Sequence, residues 1–490
     1  MRRLKRIGKV VLVAIVVFAA ILVVRALTIA SRQPVVAPLA DTPVDAKKIA
    51  AHLAGAIAKK TISESEESPP PASELEALHA DLRTSFPTTH EMLALEKVGE
   101  HSLLFTWKGT DASLPPIILC AHQDVVPIEP GTEASWKKPP FEGAEADGFL
   151  WGRGTIDDKG SLVTILEAVE GLLADKFAPK RTVYLAFGHD EEIAGKAGAA
   201  KIVDLLASRN VRAELVLDEG NPIVEGIVPS IAAPVAPIGI AEKGYLTIDL
   251  AVDVPGGHSS TPAKETAIGI LTSALEKLRS EPMPPRLDGA TAEFFAWAAP
   301  EMTFGNRIVL ANTWVTWPLV SRIFAKAPAL DASIRTTTAA TIVKAGVKDN
   351  VVPRTASATV NFRVLPGDTT ESVLEHVRRV IADPRVDIQP RQLTRTEPSR
   401  ISKTTSRGFT TIATTLREVF PGTVVAPALF LGATDGRQYE RVADDVYRFI
   451  PFRLVTSDLA RIHGTDERVA VKDLADAVRF YRRLLRSLAE

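Results

Sequence analysis

Between His101 and Leu217 the chain repeatedly places a short apolar run, the length of a strand, before a segment with helical period. His101 to Trp107, Pro116 to Ala121, Thr182 to Gly188 and Glu214 to Leu217 read as strands; Ser161 to Leu173 and Lys196 to Ala207 read as helices. Such alternation implies an α/β fold with a mainly parallel, doubly wound sheet. Sites in sheets of this kind lie at the carboxyl ends of the strands. Three of these runs stop abruptly in histidine or acid, at His122, at His189 to Glu192 and at Asp218.

With 490 residues the chain exceeds one ordinary core, so a second unit is expected. Two helices open the folded part, through Ile49, Leu53 and Ile57 and then Leu75, Leu78, Leu82 and Phe86. After Ala241 the pattern changes to strands such as Tyr245 to Val252 and Ala356 to Val364, separated by helices such as Ile268 to Leu278 and Thr370 to Ile381, which reads as an inserted α+β unit. Helices at Phe409 to Val419 and Lys472 to Leu488 return to the first pattern. The expected division is 1–32 as a targeting segment, 33–44 as a linker, 45–241 and 397–490 as the two parts of a catalytic domain, and 242–396 as the insertion. The net charge is -1, from 58 basic and 59 acidic residues, so no global field recruits nucleic acid. A single cysteine, Cys120, rules out an intramolecular disulfide framework and a cysteine-rich zinc site; it lies in an apolar run and reads as core.

Arg2, Arg3, Lys5, Arg6 and Lys9 precede an uninterrupted apolar run from Val10 to Val24, which Ala26 to Ala30 extends past Arg25. The basic end is expected to stay on the cytoplasmic side of a membrane, and either a retained signal anchor or a cleaved signal peptide exports the remainder. The stretch Gln33 to Pro43 carries no periodicity.

His122 and Asp124 follow the second strand at i, i+2, the spacing that sends both side chains to one side of an extended segment. A metal-bound imidazole commonly has such a carboxylate behind it, although a His-x-Asp pair is also an ordinary polar loop end. Gly152 to Gly160 forms a glycine-rich loop that brings Asp157 to the sheet edge, where it could bridge two metals, with Asp158 placed to cap the following helix. Gly188-His-Asp-Glu-Glu192 crowds carboxylates just past a strand, which is costly unless a cation neutralises them. Asp218 ends the fourth strand, and His463 lies far away in Arg461-Ile-His-Gly-Thr-Asp-Glu467. Imidazoles and carboxylates without cysteine form the donor set of exchangeable, catalytic zinc.

Together with Glu242-Lys-Gly244, Gly257-His-Ser-Ser260, Arg335-Thr-Thr-Thr338 and Lys344-Ala-Gly-Val347, these segments resemble the metallopeptidases and acylases that include carboxypeptidase S, glutamate carboxypeptidase and aminoacylase. They are most similar to carboxypeptidase S and to the secreted N-fatty-acyl-amino-acid synthase/hydrolase of mammals. The resemblance implies two zinc ions held by His122, Asp157, Glu192, Asp218 and His463, bridged by Asp157 and a water or hydroxide. It makes Asp124 the residue that orients His122 and Glu191 the general base. The insertion becomes a lid and dimerisation domain, with His258 polarising the substrate carbonyl, across a homodimer or within one chain. Asn350, Arg363 and Arg437 would hold the substrate carboxylate, a task suited to guanidinium.

The activity implied is hydrolysis of an amide beside a free carboxylate, releasing a C-terminal amino acid from a small peptide. The alternative within the family is an N-acyl-amino-acid hydrolase or synthase acting on fatty-acyl amides. A rival of another class is a binding ectodomain that keeps the fold without catalysis. Gly257-His-Ser-Ser-Thr261 does not supply a Gly-x-Ser-x-Gly elbow, so a serine hydrolase is set aside.

Overall fold

The computed structural model describes every residue except Met1, Asp41, Pro229, Leu393 and Thr394, with nothing said of the Arg2 side chain. Its central element is an eight-stranded mixed sheet, in the order Ala94–Val98, Ser102–Trp107, Val183–Gly188, Ile117–His122, Ala213–Glu225, Ala443–Val455, Val235–Glu242, Val424–Phe430. The middle of the sheet is parallel, from Val183–Gly188 through Ile117–His122 and Ala213–Glu225 to Ala443–Val455. The first two strands add an antiparallel hairpin at one edge.

The strand Ile117–His122 is buried along its whole length, as a parallel strand covered on both faces must be. Its side chains divide by the period of two. Ile117 and Leu119 join a core with Leu162, Leu166 and Val169 of the helix Lys159–Ala174 and with Leu484 and Leu485 of the C-terminal helix Val471–Ala489. Ile118 and Cys120 face Ile202, Val203 and Leu206 of the helix Ala199–Ser208 on the other side. Helices on both faces complete the doubly wound arrangement expected from the sequence, and Cys120 is core.

A second sheet runs Thr337–Ala345, Thr355–Val364, Gly244–Asp253, Val386–Pro390, antiparallel throughout. Leu246, Ile248, Leu250 and Val252 alternate inward beneath the helices Ala267–Ser280 and Thr370–Ile381, which contribute Ile270, Leu271, Val373 and Val377. Thr369 and Ser372 form a reciprocal cap at the start of the second helix. Only Lys243 separates the last strand residue of the first sheet, Glu242, from the first of the second, Gly244.

Two features were not legible in the sequence. Four helices, Gly289–Ala298, Phe304–Ala311, Thr313–Phe324 and Pro328–Ile334, interrupt the second unit and pack back on the first. Ala290 and Trp297 belong to the main core, and the Trp297 ring meets Phe409 at 5.3 Å. Among the described residues of 33–44 none lies in a helix or strand, but the stretch is pinned at its start: the Gln33 side chain both donates to the Val425 carbonyl and accepts from its N–H, each at 2.8 Å. It thereby imitates a strand partner along the edge strand Val424–Phe430 and satisfies groups that an open edge would expose.

Arg3–Thr28 is a helix long and apolar enough to cross a membrane. Its C-terminal half touches the helical excursion, where Phe18 meets Trp314 edge to face at 6.0 Å and Asn312 Nδ2 donates to the Leu22 carbonyl at 3.0 Å.

Candidate metal centre

The parallel strands end at one edge of the main sheet, and loops there bring histidine and carboxylate together. Asp157 occupies the middle of the cluster. Its Oδ1 lies 2.9 Å from His122 Nε2 and its Oδ2 lies 2.9 Å from His463 Nε2, so one carboxylate faces two imidazoles. Glu219 Oε1 stands 3.5 Å from His122 Nε2, and Glu192 Oε2 stands 3.3 Å from His463 Nε2. The result is two three-residue donor groups, His122, Asp157 and Glu219 on one side and Asp157, Glu192 and His463 on the other, each with its ligand atoms within 4.8 Å of one another.

Buried partners hold these donors in place. Asp124 is fully buried; its carboxylate sits 3.3 Å from His122 Nδ1, accepts the Ser63 hydroxyl at 2.6 Å, and accepts the N–H groups of Glu191 and Glu192 at 3.1 and 3.2 Å. One acid therefore fixes both the imidazole and the turn that carries the two glutamates. The Asp157 and His463 loops are joined by a buried pair, Arg153 to Glu467 at 2.7 Å. Glu467 also accepts the Ile156 and Asp157 N–H groups, while Arg153 donates to the His463 carbonyl. The peptide bond between Asp157 and Asp158 is cis.

The electrostatics fit a cation. Burial, reinforced by neighbouring carboxylates, raises Glu191, Glu192 and Glu219 above the ordinary carboxylate range. Asp157 is also buried, but hydrogen bonds from His122 and His463 bring it down. His463 is pushed up to about 10 by its contacts with Asp157 and Glu192. Without a metal the cluster must retain protons to offset its charge, and Glu192 Oε1 is buried with no hydrogen-bond partner. Divalent cations bind deprotonated ligands and would replace those protons.

His122, Asp124, Asp157, Glu192 and His463 thus stand together, and the Glu191 N–H is bonded to Asp124. Among the described residues no hydrogen bond reaches the Glu191 carboxylate. Asp218 does not join either donor group. It precedes Glu219 on a strand, where successive side chains point to opposite faces, and its Oδ2 is turned toward Gly436, whose added Cβ would stand 3.0 Å away. Glu219 takes the place expected for Asp218; the period of two within Leu215-Val-Leu-Asp-Glu-Gly220 was the available signal. Asp158 occupies the helix N-cap position without a capping side-chain bond, and its Oδ2 instead accepts the His122 N–H at 3.3 Å.

The residues expected to grip substrate are dispersed. His258 and Asn350 lie together on the exposed tip of the second unit, where the Ser259 N–H donates to the Asn350 carbonyl and the Ser260 hydroxyl contacts His258 Nδ1 at 2.7 Å. Among the described residues neither contacts the metal cluster. Arg363 stacks on the Tyr245 ring at 4.7 Å and has no carboxylate partner among the described residues. Arg437 already has protein partners: it donates to Glu242 at 2.6 Å, to Thr396 at 2.9 Å and to the Lys243 carbonyl at 3.1 Å. Glu242 is wholly buried between Arg437 and the equally buried Arg448.

Two donor groups sharing a carboxylate at the carboxyl edge of a parallel sheet define a hydrolase with a two-metal centre. The chain belongs to peptidase family M20/M25/M40, whose description matches residues 118–487. It is 42% identical over 476 residues to a probable carboxypeptidase S-like protein of Dictyostelium discoideum, covering 95% of this chain and 91% of that one. It is 39% identical over 487 residues to an N-fatty-acyl-amino acid synthase/hydrolase of Xenopus tropicalis, covering 97% and 94%. The fold is shared with an M20 family metallo-carboxypeptidase of Sulfolobus solfataricus at a TM-score of 0.62 and 18% identity, over 89% of this chain and 98% of that chain. Metal-dependent hydrolysis with a dinuclear centre, for which zinc is typical, is the chemistry of this family.

Proposed function

We propose that this chain hydrolyses the amide bond between an acyl or peptidyl group and an amino acid with a free carboxylate. The observation that carries the reading is the Asp157 carboxylate placed 2.9 Å from each of two imidazoles. His122, Asp157 and Glu219 would hold one zinc ion and Asp157, Glu192 and His463 the other. The chemistry such ions supply when bound is carbonyl polarisation and a lowered pKa for water. Glu191 acts as the proton carrier, taking a proton from the attacking water and returning it to the leaving nitrogen. Its backbone N–H is held by Asp124, which places the side chain on the turn that also carries the donor Glu192.

Residues 45–241 and 397–490 form the catalytic domain and 242–396 the lid in this reading. Arg363, stacked yet without a carboxylate partner, is the clamp for the substrate carboxylate. His258 and Asn350, remote from their own cluster, would complete the site of a second copy in a homodimer. The N-terminal helix serves as signal or anchor, which leaves the catalytic part outside the cytoplasm.

Release of a C-terminal amino acid from a peptide is the first reading. An apolar cavity beside the strand Val424–Phe430 favours a second, cleavage or synthesis of N-acyl amino acids with long acyl chains. A test is release of leucine from glycyl-leucine and from an N-octadecanoyl leucine, and of leucinamide from the amidated form of each. Both readings predict that amidation abolishes turnover; undiminished cleavage of the amidated compounds would refute recognition of the carboxylate.

A further inference from the structure

The helical excursion and the edge of the main sheet enclose a cavity of about 370 Å3. Its wall includes Phe294, Phe295, Met302, Val309, Ile323 and Leu429. The few polar groups in the lining are turned to protein partners. The Thr291 hydroxyl donates to the Ser333 carbonyl at 2.6 Å, the Ser333 hydroxyl to the Leu330 carbonyl at 2.7 Å, and the Asn306 amide to Ser230 and Thr303. No charged side chain lines it. A space of this size, lined in this way, suits the hydrocarbon part of a ligand and offers little to a peptide backbone or a charged head group.

One wall continues into a loop that runs beside Asp218, the sequence neighbour of the donor Glu219. Leu429 and Leu431 form part of the wall, and the chain then runs through Gly432 to Thr434, which donates to the buried Glu242, and to Gly436, which backs Asp218. Two residues, Gly432 and Ala433, separate Leu431 from Thr434, a span of at most ~11 Å in extended chain. On the far side, the helices Phe304–Ala311 and Thr313–Phe324 that wall the cavity are those touched by the N-terminal apolar helix, and they expose Phe304, Trp314, Leu319 and Ile323.

We propose that this cavity is the acyl-chain site of the enzyme, taking the hydrocarbon tail of an N-acyl amino acid whose amide lies at the metal centre. The assignment rests on the acyl-amide reading above and adds the residues that measure chain length. Each methylene buried in the cavity contributes about a fourfold fall in KM until the space is filled. Because one wall faces the apolar helix and the exposed apolar side chains beside it, a tail can enter from a lipid phase.

The test uses the full chain in detergent and a series of N-acyl leucines with acetyl, hexanoyl, dodecanoyl and octadecanoyl groups. Ile323→Trp changes a half-exposed position that tolerates bulk, and Val309→Trp fills the cavity from a second helix. Both are expected to abolish the gain from hexanoyl to octadecanoyl while leaving acetyl-leucine turnover unchanged. Displacement of a fluorescent fatty acid by oleate, measured on chelated protein, is expected to weaken at least tenfold in both variants. If long-chain amides are cleaved but neither variant alters chain-length dependence or oleate binding, the cavity assignment is wrong and the acyl-amide reading stands. If no acyl amide is cleaved yet oleate binds and both variants abolish binding, the cavity holds hydrocarbon and the acyl-amide reading fails.

Discussion

Glutamine at Glu219 removes one of the three donors grouped about His122 and Asp157, whereas asparagine at Asp218 removes none. The geometry sets the contrast: Glu219 Oε1 is 3.5 Å from His122 Nε2, while Asp218 is directed at Gly436. Loss of a residue that only supports a ligand typically weakens metal affinity ~10–100-fold, so loss of a direct donor is expected to cost at least ~100-fold. A ligand that binds only the folded protein stabilises it by RT ln(1 + [L]/Kd). At free zinc about 1,000 times the wild-type Kd, the wild type gains about 4.1 kcal/mol. The Glu219→Gln protein, facing about 10 times its own Kd, gains only about 1.4 kcal/mol. The assay is the zinc-dependent displacement of the denaturant unfolding curve for wild type, Glu219→Gln and Asp218→Asn, with bound metal counted after dialysis. Asp218→Asn should retain most of the zinc stabilisation. A wild-type response from Glu219→Gln together with a lost response in Asp218→Asn would refute the assignment.

Glu242 is fully buried between Arg448 and Arg437 at the junction of the two sheets, so Glu242→Gln should destabilise the protein by about 3–5 kcal/mol, with partial recovery when Arg448→Met is added. A loss below about 1 kcal/mol in denaturant unfolding would show that the junction does not depend on this charge. In metal-free protein, Glu191, Glu192 and Glu219 retain protons that the unfolded chain gives up above ~4.3, so their contribution to stability is greatest at acid pH and falls as pH rises through their raised pKa values. The His463 contribution has the same sign: it is complete below ~6.5 and lost as pH passes about 10. Stability of the chelated protein should therefore fall from mildly acidic to mildly alkaline pH, and zinc should reduce that fall; a rise in the chelated protein would contradict the electrostatics. Zinc added to metal-free protein at neutral pH should release protons, measured by calorimetry in buffers of different ionisation enthalpy, and heats independent of the buffer would contradict exchange of protons for metal.

The sheet was legible where burial made the strand signal continuous, as in Ile117 to Ala121, and the helix Thr370–Ile381 was legible because its apolar positions repeat on one face. The excursion 289–334 was not. Phe294, Phe295, Trp297 and Val309 are divided among the main core, the cavity and solvent, so no single apolar stripe marks the helices. Most of the histidines and acids that the fold gathers could be picked out because each strand end carries an unmistakable acid or histidine. The exception, Glu219 for Asp218, is a question of which face of a strand a residue occupies, and one position reverses it. The pairing of Arg437 was hidden for a different reason: a guanidinium suited to a substrate carboxylate suits the buried carboxylate of Glu242 equally well, and only the fold brings the two together.

The most direct test of the account is the yield of free leucine from a dipeptide and from a long-chain N-acyl leucine, compared between zinc-loaded wild type and a Glu191→Gln protein shown to bind the same amount of metal. The account predicts turnover of at least one substrate by the wild type, loss of that turnover in Glu191→Gln despite full metal occupancy, and its suppression by chelation. Equal turnover in the variant, or none by fully loaded wild type across both substrate classes, would contradict it.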